Sequence, residues 1–387
     1  QRPELQRASN AGALVLVVLA LAAPAPAQEE PASPLVRPPL ASSTQAAPAA
    51  EGPTADLGTD EEARKPSFRW TRFRVNGRAI GRWQSVQQDS ISESELNFEN
   101  ARITLNWRPA RWLRAQVEYD PAMNQKLKDA FFRVRGDTLS LRGGQFKPPF
   151  SVTAMDSRWD LPVSERGQLD EVLRDAMGII GRRPGLQVGY QPRGSDFDVF
   201  GGVFQASSVD GDRIGKNSFN NLAEDWAPKV TARGQYERRR LRLGVSGDWR
   251  PAEPVPGDGY QRFWTLGADA VWRQRQSQGG WRLWGEGYVG SSWQDSDPLD
   301  GVSTTFVAGQ AIAAWRYGGR QDHAFYVEPY SLLSVLDPDT RIRGDLMWEV
   351  AGGVNVGRWD QLRFTVEVQH RSVDANAPSS LGLVILD

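Results

Sequence analysis

Cysteine is absent from the 387 residues, and histidine occurs only at His323 and His370. The first absence excludes disulfide frameworks, zinc–thiolate sites, iron–sulfur clusters and thiol nucleophiles. The second leaves too few ligands for a multi-histidine metal centre or an HExxH helix. An excess of one charge is lacking as well: 46 Lys and Arg against 47 Asp and Glu give a net charge of -1, unlike a nucleic-acid binder with its basic surplus. Beyond residue 23 no apolar run approaches the roughly 20 residues of a membrane helix, and mean hydropathy is -0.50. These averages describe a water-soluble chain. One abundance contradicts them, since Trp occurs 15 times against 4 for Met.

The N-terminus reads as an address. Arg2 and Arg7 precede an apolar run from Ala11 to Ala23, and Ala25-Pro26-Ala27 follows. A basic n-region, a short apolar h-region and an A-x-A site predict a signal peptide over residues 1–27, cleaved after Ala27. A membrane anchor is the competing reading, but the run is short and no stop-transfer flank follows. Cleavage removes Arg2 and Arg7 from the 46 basic residues and Glu4 from the 47 acidic ones, leaving a net charge of -2. Residues 28–66 are rich in Pro, Ala and Ser, then acidic from Glu51 to Lys65. Such composition cannot bury enough apolar surface to offset the entropy of ordering. It predicts a disordered linker, either a plain spacer or a tether toward a periplasmic partner.

From Phe68 the period becomes two. Phe73, Val75, Gly77, Ala79 and Gly81 share one face, while Arg72, Arg74, Asn76, Arg78 and Arg82 share the other. Leu362, Phe364, Val366 and Val368 likewise oppose Arg363, Thr365, Glu367 and Gln369. Counting such blocks predicts strands at 68–83, 96–108, 112–119, 128–135, 139–146, 183–191, 197–206, 227–237, 240–249, 262–275, 281–292, 302–316, 323–335, 342–356, 361–371 and 379–386. An even count of sixteen, with charges inside the repeats and aromatics at block ends, suits a transmembrane barrel over residues 67–387. One face would meet outer-membrane lipid and the other the aqueous lumen. Trp70, Trp83, Trp107, Trp112, Tyr119, Trp249, Trp264, Trp272, Trp281, Trp315, Tyr317 and Trp348 would supply interfacial belts. A secreted β-sandwich would alternate similarly, but it explains neither the tryptophans nor the outward apolar residues. The predicted fold is therefore all-β: an antiparallel transmembrane β-barrel of sixteen strands with a long inward-folding loop.

Several segments resemble the phosphate-selective porin O/P family. Leu139-Ser-Leu-Arg-Gly-Gly-Gln-Phe-Lys-Pro-Pro-Phe-Ser151 is similar to its G-x-F-K-x-P-F element. Phe98-Glu-Asn-Ala-Arg-Ile-Thr-Leu105 and Val117-Glu-Tyr-Asp120 resemble two of its strands, and Leu161-Pro-Val-Ser-Glu-Arg166 with Gly181-Arg-Arg-Pro-Gly-Leu-Gln-Val188 a further passage. The likeness runs over residues 68–206. It implies a trimeric outer-membrane porin of a Gram-negative bacterium, passing small anions such as phosphate. It also implies that loop 147–182 folds inward to narrow the pore. Within that loop a short helix is expected around Gln168–Ala176, with Leu169, Val172 and Leu173 on its apolar side.

Such a pore needs no reaction and no cofactor. It needs cations around a wet passage, holding anions weakly enough to release them; Arg suits oxyanions because its planar fork gives two parallel hydrogen bonds. The lumen-phase candidates are Arg72, Arg74, Arg78, Arg82, Arg102, Arg114, Arg133, Arg135, Arg142, Arg233 and Arg242, with Lys147, Arg158, Arg166 and Arg174 on the loop. Arg72, Arg74, Arg78 and Arg82 could form a ladder down one strand. Each could instead be a strut paired with Glu99, Glu118, Asp129 or Glu367. Three features depart from the family: Glu99-Asn100 stand where it often has two arginines, lysines are few, and the chain ends in Leu381-Gly-Leu-Val-Ile-Leu-Asp387 rather than an aromatic. Neither histidine has partners for nucleophilic chemistry, no glycine-rich phosphate loop opens a helix, and Asp295, Asp297, Asp300, Asp337 and Asp339 read as turn formers. Two functions follow from this reading: an anion-preferring diffusion porin, or a non-conducting barrel that anchors a partner complex.

Overall fold

The computed structural model describes residues 13–22, 73–88, 91–122, 126–206, 228–255, 259–274, 279–292, 304–318, 325–358 and 362–373. Sixteen strands follow one another: β1 (Ala13–Ala22), β2 (Phe73–Gln88), β3 (Ile91–Ala110), β4 (Leu113–Tyr119), β5 (Leu127–Arg135), β6 (Leu139–Phe146), β7 (Arg183–Tyr190), β8 (Phe197–Gln205), β9 (Pro228–Arg238), β10 (Leu241–Val255), β11 (Gly259–Arg273), β12 (Gly279–Ser291), β13 (Thr305–Tyr317), β14 (Phe325–Asp337), β15 (Met347–Arg358) and β16 (Leu362–Val373). From β2 to β16 each pairs antiparallel with the next. Fifteen of the predicted blocks are strands. The block at 379–386 lies outside the described residues, and the sixteenth strand is Ala13–Ala22. Because β2 and β16 run in the same direction, only a strand antiparallel to both can close the ring. In this structure β1 fills that place, with Leu19 opposite Phe364 on one side and Gly81 on the other.

The outer face is apolar because the pleat turns alternate residues away from the lumen. Along β14, Phe325, Val327, Leu333 and Val335 are exposed while Tyr326, Glu328, Tyr330, Leu332 and Leu336 are buried. Tryptophans pair across strands at two heights. Trp281 faces Trp315 at the short-turn end, whereas Trp249 faces Trp264 at the opposite end. Trp264 lies beside Ser291, ten residues along β12 from Trp281. At about 3.3 Å per residue and a tilt of about 40°, the belts stand roughly 25 Å apart, the height of an outer-membrane apolar band.

The 147–182 connection folds into the barrel. It carries α1 (Val152–Met155), α2 (Gln168–Glu171) and a π-helical turn, Val172–Ala176, so the helix expected around Gln168–Ala176 is present. Leu169, Val172 and Leu173 are buried against Phe306, Ala308, Leu336 and Met347. Val152, Leu161 and Val163 pack on Trp284, Ile312, Leu332 and Ala351. Apolar side chains on the inner face of β11–β15, five of the sixteen strands, thus serve with the loop as its core.

Candidate functional site

A loop inside a barrel brings polar backbone groups out of water, and each needs a partner. The β9–β16 wall supplies them. Glu286 accepts from Ser151 Oγ at 3.0 Å and Thr153 Oγ1 at 2.5 Å, and Glu349 accepts from the Gln168 N–H. Cations meet the loop carbonyls: Arg363 donates to Leu161 O at 2.6 Å and Lys229 to Ile179 O at 2.5 Å, while Asn355 donates to Pro162 O at 2.6 Å. Asp156 of the loop receives Arg242 at 2.7 Å, Arg273 at 3.0 Å and Trp284 Nε1 at 3.3 Å. Arg371 grips Glu171 with both terminal nitrogens at 2.9 Å.

On β2 and β3 the predicted arginines divide. Arg72 lies outside the described residues, and Arg74 is exposed. Arg82 joins Glu99 at 2.7 Å and also Glu165 of the loop. Arg102 joins Glu118 at 2.9 Å and Asp120 at 3.4 Å. Four residues before Arg82 on the same face of β2, Arg78 has no carboxylate partner among the described residues, and its Nε is buried without an acceptor. Arg78 and Arg102 face each other across the ladder. The same ladder explains Glu99-Asn100. Pairing passes from Ile80↔Asn100 to Gly81↔Phe98, so Glu99 is an extra, bulged residue. It turns inward beside Asn100 and receives Arg82 and Arg158.

The loop cations are mostly engaged. Lys147 donates to Ala154 O, Arg166 to Thr153 O at 2.8 Å and Asp156 O at 2.9 Å, and Arg174 pairs with Asp170 and Asp175 at 3.1 Å. Burial lowers the Lys147 ammonium well below its ordinary value and the Arg158 guanidinium to about 9. Burial alone pushes Glu165 up, but the charges of Arg82, Arg158 and Arg371 outweigh it and hold the carboxyl at about 2. Arg233 and Arg242, both in lumen phase, are struts: Arg233 binds Asp269 at 2.5 and 2.8 Å, and Arg242 binds Asp156. The strand periodicity misses Arg182, which joins Asp129 at 2.7 Å and Glu118 at 3.0 Å. It lies where the loop ends and alternation has not begun, and its only sequence signal is Gly181-Arg-Arg-Pro184.

A different arrangement spans β4, β5 and β6. Arg114 sits directly opposite Arg133, and Arg133 directly opposite Arg142. Three arginines therefore form one row across three strands, about 4.8 Å per step. Their partners are neutral. Arg114 donates to Asn106 Oδ1 at 2.7 Å and Gln116 Oε1 at 2.6 Å, and Arg133 to Gln191 Oε1 at 3.3 Å. The Arg142 guanidinium lies over the rings of Phe131 and Phe146, 3.7 and 4.1 Å from their centroids. Among the described residues no carboxylate forms an ion pair with any of the three. The nearest acids are engaged or offset: Asp129 is held by Arg182, and Asp198 receives Gln235 Nε2 at 3.4 Å. Arg135, also predicted, is exposed at the end of β5.

An apolar outer face, two tryptophan belts, a sixteen-strand antiparallel sheet and an inward loop define an outer-membrane porin, a channel rather than an enzyme. The family model of phosphate-selective porin O and P matches residues 56–250, and the chain belongs to that family. No curated protein matches the sequence. Among solved structures, the outer-membrane channel DcaP of Acinetobacter baumannii shares the fold at 9% identity and a TM-score of 0.50, covering 80% of this chain and 100% of that one. An anion-selective porin from Comamonas acidovorans aligns at 11% identity and a TM-score of 0.44, covering 78% and 99%. The trimer form of OmpT from Vibrio cholerae aligns at 9% identity and a TM-score of 0.46, covering 78% and 99%.

Proposed function

We propose that this porin passes small solutes by passive diffusion with a preference for anions, phosphate among them, and that it works as a homotrimer, as its family implies. The observation that carries the anion preference is the Arg114–Arg133–Arg142 row. Like charges directly across an antiparallel pair oppose folding. At an effective dielectric near 20, two charges about 5 Å apart repel by roughly 3 kcal/mol, less where the side chains splay. On β9–β16 every comparable arginine described above meets a carboxylate or a loop carbonyl. A row without carboxylate partners keeps its positive potential for a mobile anion, and its amide partners orient it without neutralising it. In this reading anions travel along the β4–β7 side, opposite the wall that carries the loop's apolar core. The signal peptide at 1–27 and the linker at 28–66 belong to the same proposal, as the route to the outer membrane and a periplasmic spacer.

Reversal potentials of single channels in a KCl gradient test it. Anion preference is expected, and replacing Arg114, Arg133 and Arg142 together with Gln should move the permeability ratio toward cations. A cation-preferring wild type sinks the reading. Absence of conductance would support the structural-barrel alternative instead.

A further inference from the structure

The short-turn end of the barrel, which faces the periplasm in an outer-membrane protein, carries a surplus of positive charge. Among the described residues the exposed acids at its turns and strand ends are Asp137, Asp196 and Glu237, and exposed arginines outnumber them. The pleat sorts those arginines. Arg74 and Arg135 share the lumen phase, whereas Arg238 and Arg358 stand in the phase of the lipid-facing side chains, Arg238 opposite Leu241 and Arg358 opposite Phe325. Each has an exposed aromatic beside it. Phe325 is 69% exposed. Two residues before Arg238 on the same face, Tyr236 meets Phe197 with ring centroids 4.9 Å apart, and Phe197 is 61% exposed. Arg239 follows in the two-residue turn to β10 with φ +53°, a left-handed conformation that Gly or Asn would adopt more readily. Among the described residues no acid pairs with Arg239 or Arg358. Arg238 reaches Asp196 at 3.6 Å with both side chains largely exposed, and such a pair holds little.

We propose that these two places, Phe197 and Tyr236 with Arg238 and Arg239, and Phe325 with Arg358, are binding sites for anionic phospholipids of the inner leaflet. The inference is independent of the pore's ion preference, because Arg238 and Arg358 face away from the lumen. Aromatic rings settle at the interface of a bilayer, where one side of the ring is apolar and the other wet. An arginine one pleat further out, about 6.6 Å along the strand, lays its stem on the apolar wall and lifts its head to the phosphate level. There the planar fork gives two parallel hydrogen bonds to phosphate oxygens. Net charge then selects the headgroup. The ammonium of phosphatidylethanolamine balances its own phosphate and brings a further cation to an arginine surplus, whereas phosphatidylglycerol brings an uncompensated negative charge. Continuity with the apolar outer wall makes the occupant a lipid, since the exposed rings lie where acyl chains begin.

Native mass spectrometry of the full-length protein in mild detergent tests this, with phosphatidylglycerol and phosphatidylethanolamine of identical acyl chains as probes. Wild type should retain phosphatidylglycerol at a lipid concentration about tenfold lower than phosphatidylethanolamine. Replacing Arg238, Arg239 and Arg358 together with Gln should remove that difference. Phe325→Ala leaves every charge in place and should weaken retention of both lipids, which a purely electrostatic attraction would not do. If the triple variant fails to assemble, as judged by heat-modifiable gel mobility, Arg358→Gln alone carries the test with a smaller shift. Equal retention of the two lipids by wild type overturns the proposal, and so does an undiminished preference in the arginine variant. Displacement of bound phosphatidylglycerol by inorganic phosphate would reveal a site for free anions and overturn it as well.

Discussion

The backbone N–H of Ser164 donates to the Glu367 carboxylate at 3.1 Å, and the Ser164 hydroxyl donates to the same group at 2.5 Å. Two residues 203 positions apart thereby fasten the middle of the loop to β16. Tyr330 donates its hydroxyl to the same carboxylate at 2.7 Å. Glu367→Ala therefore orphans three donors, at about 1–3 kcal/mol for each that stays buried. Trypsin should then cut the folded protein at Arg158 or Arg166, which the wild type protects, and single-channel traces should become noisier. An unchanged cleavage pattern would show that the apolar core alone holds the loop.

Arg78 and Arg82 share a face of β2 yet have different surroundings, and their variants should separate accordingly. Arg82→Ala removes one of the two arginines, the other being Arg158, that Glu99 and Glu165 share, and with it the link from β2 to the loop, so it should expose the loop to trypsin. Arg78→Ala breaks no ion pair among the described residues. It should leave trypsin resistance intact and lower the anion-to-cation permeability ratio measured from reversal potentials. If both variants alter the same property to the same degree, the distinction between strut and pathway residue fails.

Glu165 gives the loop an acid limit. Its folded-state value of about 2 lies below the ordinary 4.5, so the ionised form favours the anchored loop. That contribution is fully present above about pH 4.5 and is lost as pH falls toward 2. From the size of the shift it is on the order of 3 kcal/mol. Pepsin, active throughout this window, should leave the wild-type loop intact at pH 4.5 and cut it near pH 2. Glu165→Gln should be cut at both. Equal protection of the variant at pH 4.5 would refute the role.

Gly144 is required by the backbone. Its φ is +125°, and an added Cβ would lie 2.2 Å from the Ala130 carbonyl oxygen on the neighbouring strand. Gly144→Val should prevent assembly, seen as loss of the heat-modifiable band. By contrast Gly201→Ala, where nothing lies within 4 Å of the added carbon, should fold normally.

The place between β16 and β2 leads to a prediction about processing. If residues 1–27 are removed as a leader, β1 leaves with them, and closure needs another strand antiparallel to both neighbours. The block at 379–386 is the segment the sequence offers. Intact-mass measurement of the outer-membrane form should show a chain beginning at Gln28, and deletion of 379–387 should abolish assembly. A mature chain retaining Ala13–Ala22 would instead make that segment a permanent barrel strand.

Much of this architecture is legible residue by residue. Phe73 and Val75 lie outside and Arg78 and Arg82 inside because a strand's side chains must alternate. The loop helix is readable from the spacing of Leu169, Val172 and Leu173. The weaker stretch is Tyr330-Ser-Leu-Leu-Ser-Val-Leu336, where Leu332 and Leu336 point inward although the lumen should be polar. They do so because Val152, Leu161 and Leu169 of the loop cover that wall, and no local pattern announces a partner so distant in sequence.

The period of two, and with it which residues face outward and which face the lumen, is written in the chain itself, because that choice depends only on pleating and hydration. It could not say which inward arginine would be neutralised. Arg82 and Arg142 have the same phase, yet one meets Glu165, 83 residues away, and the other meets two phenyl rings. Ion pairing falls off within a few ångströms, so it is decided by cross-strand register and by the path of the loop. Only the tertiary structure sets those distances.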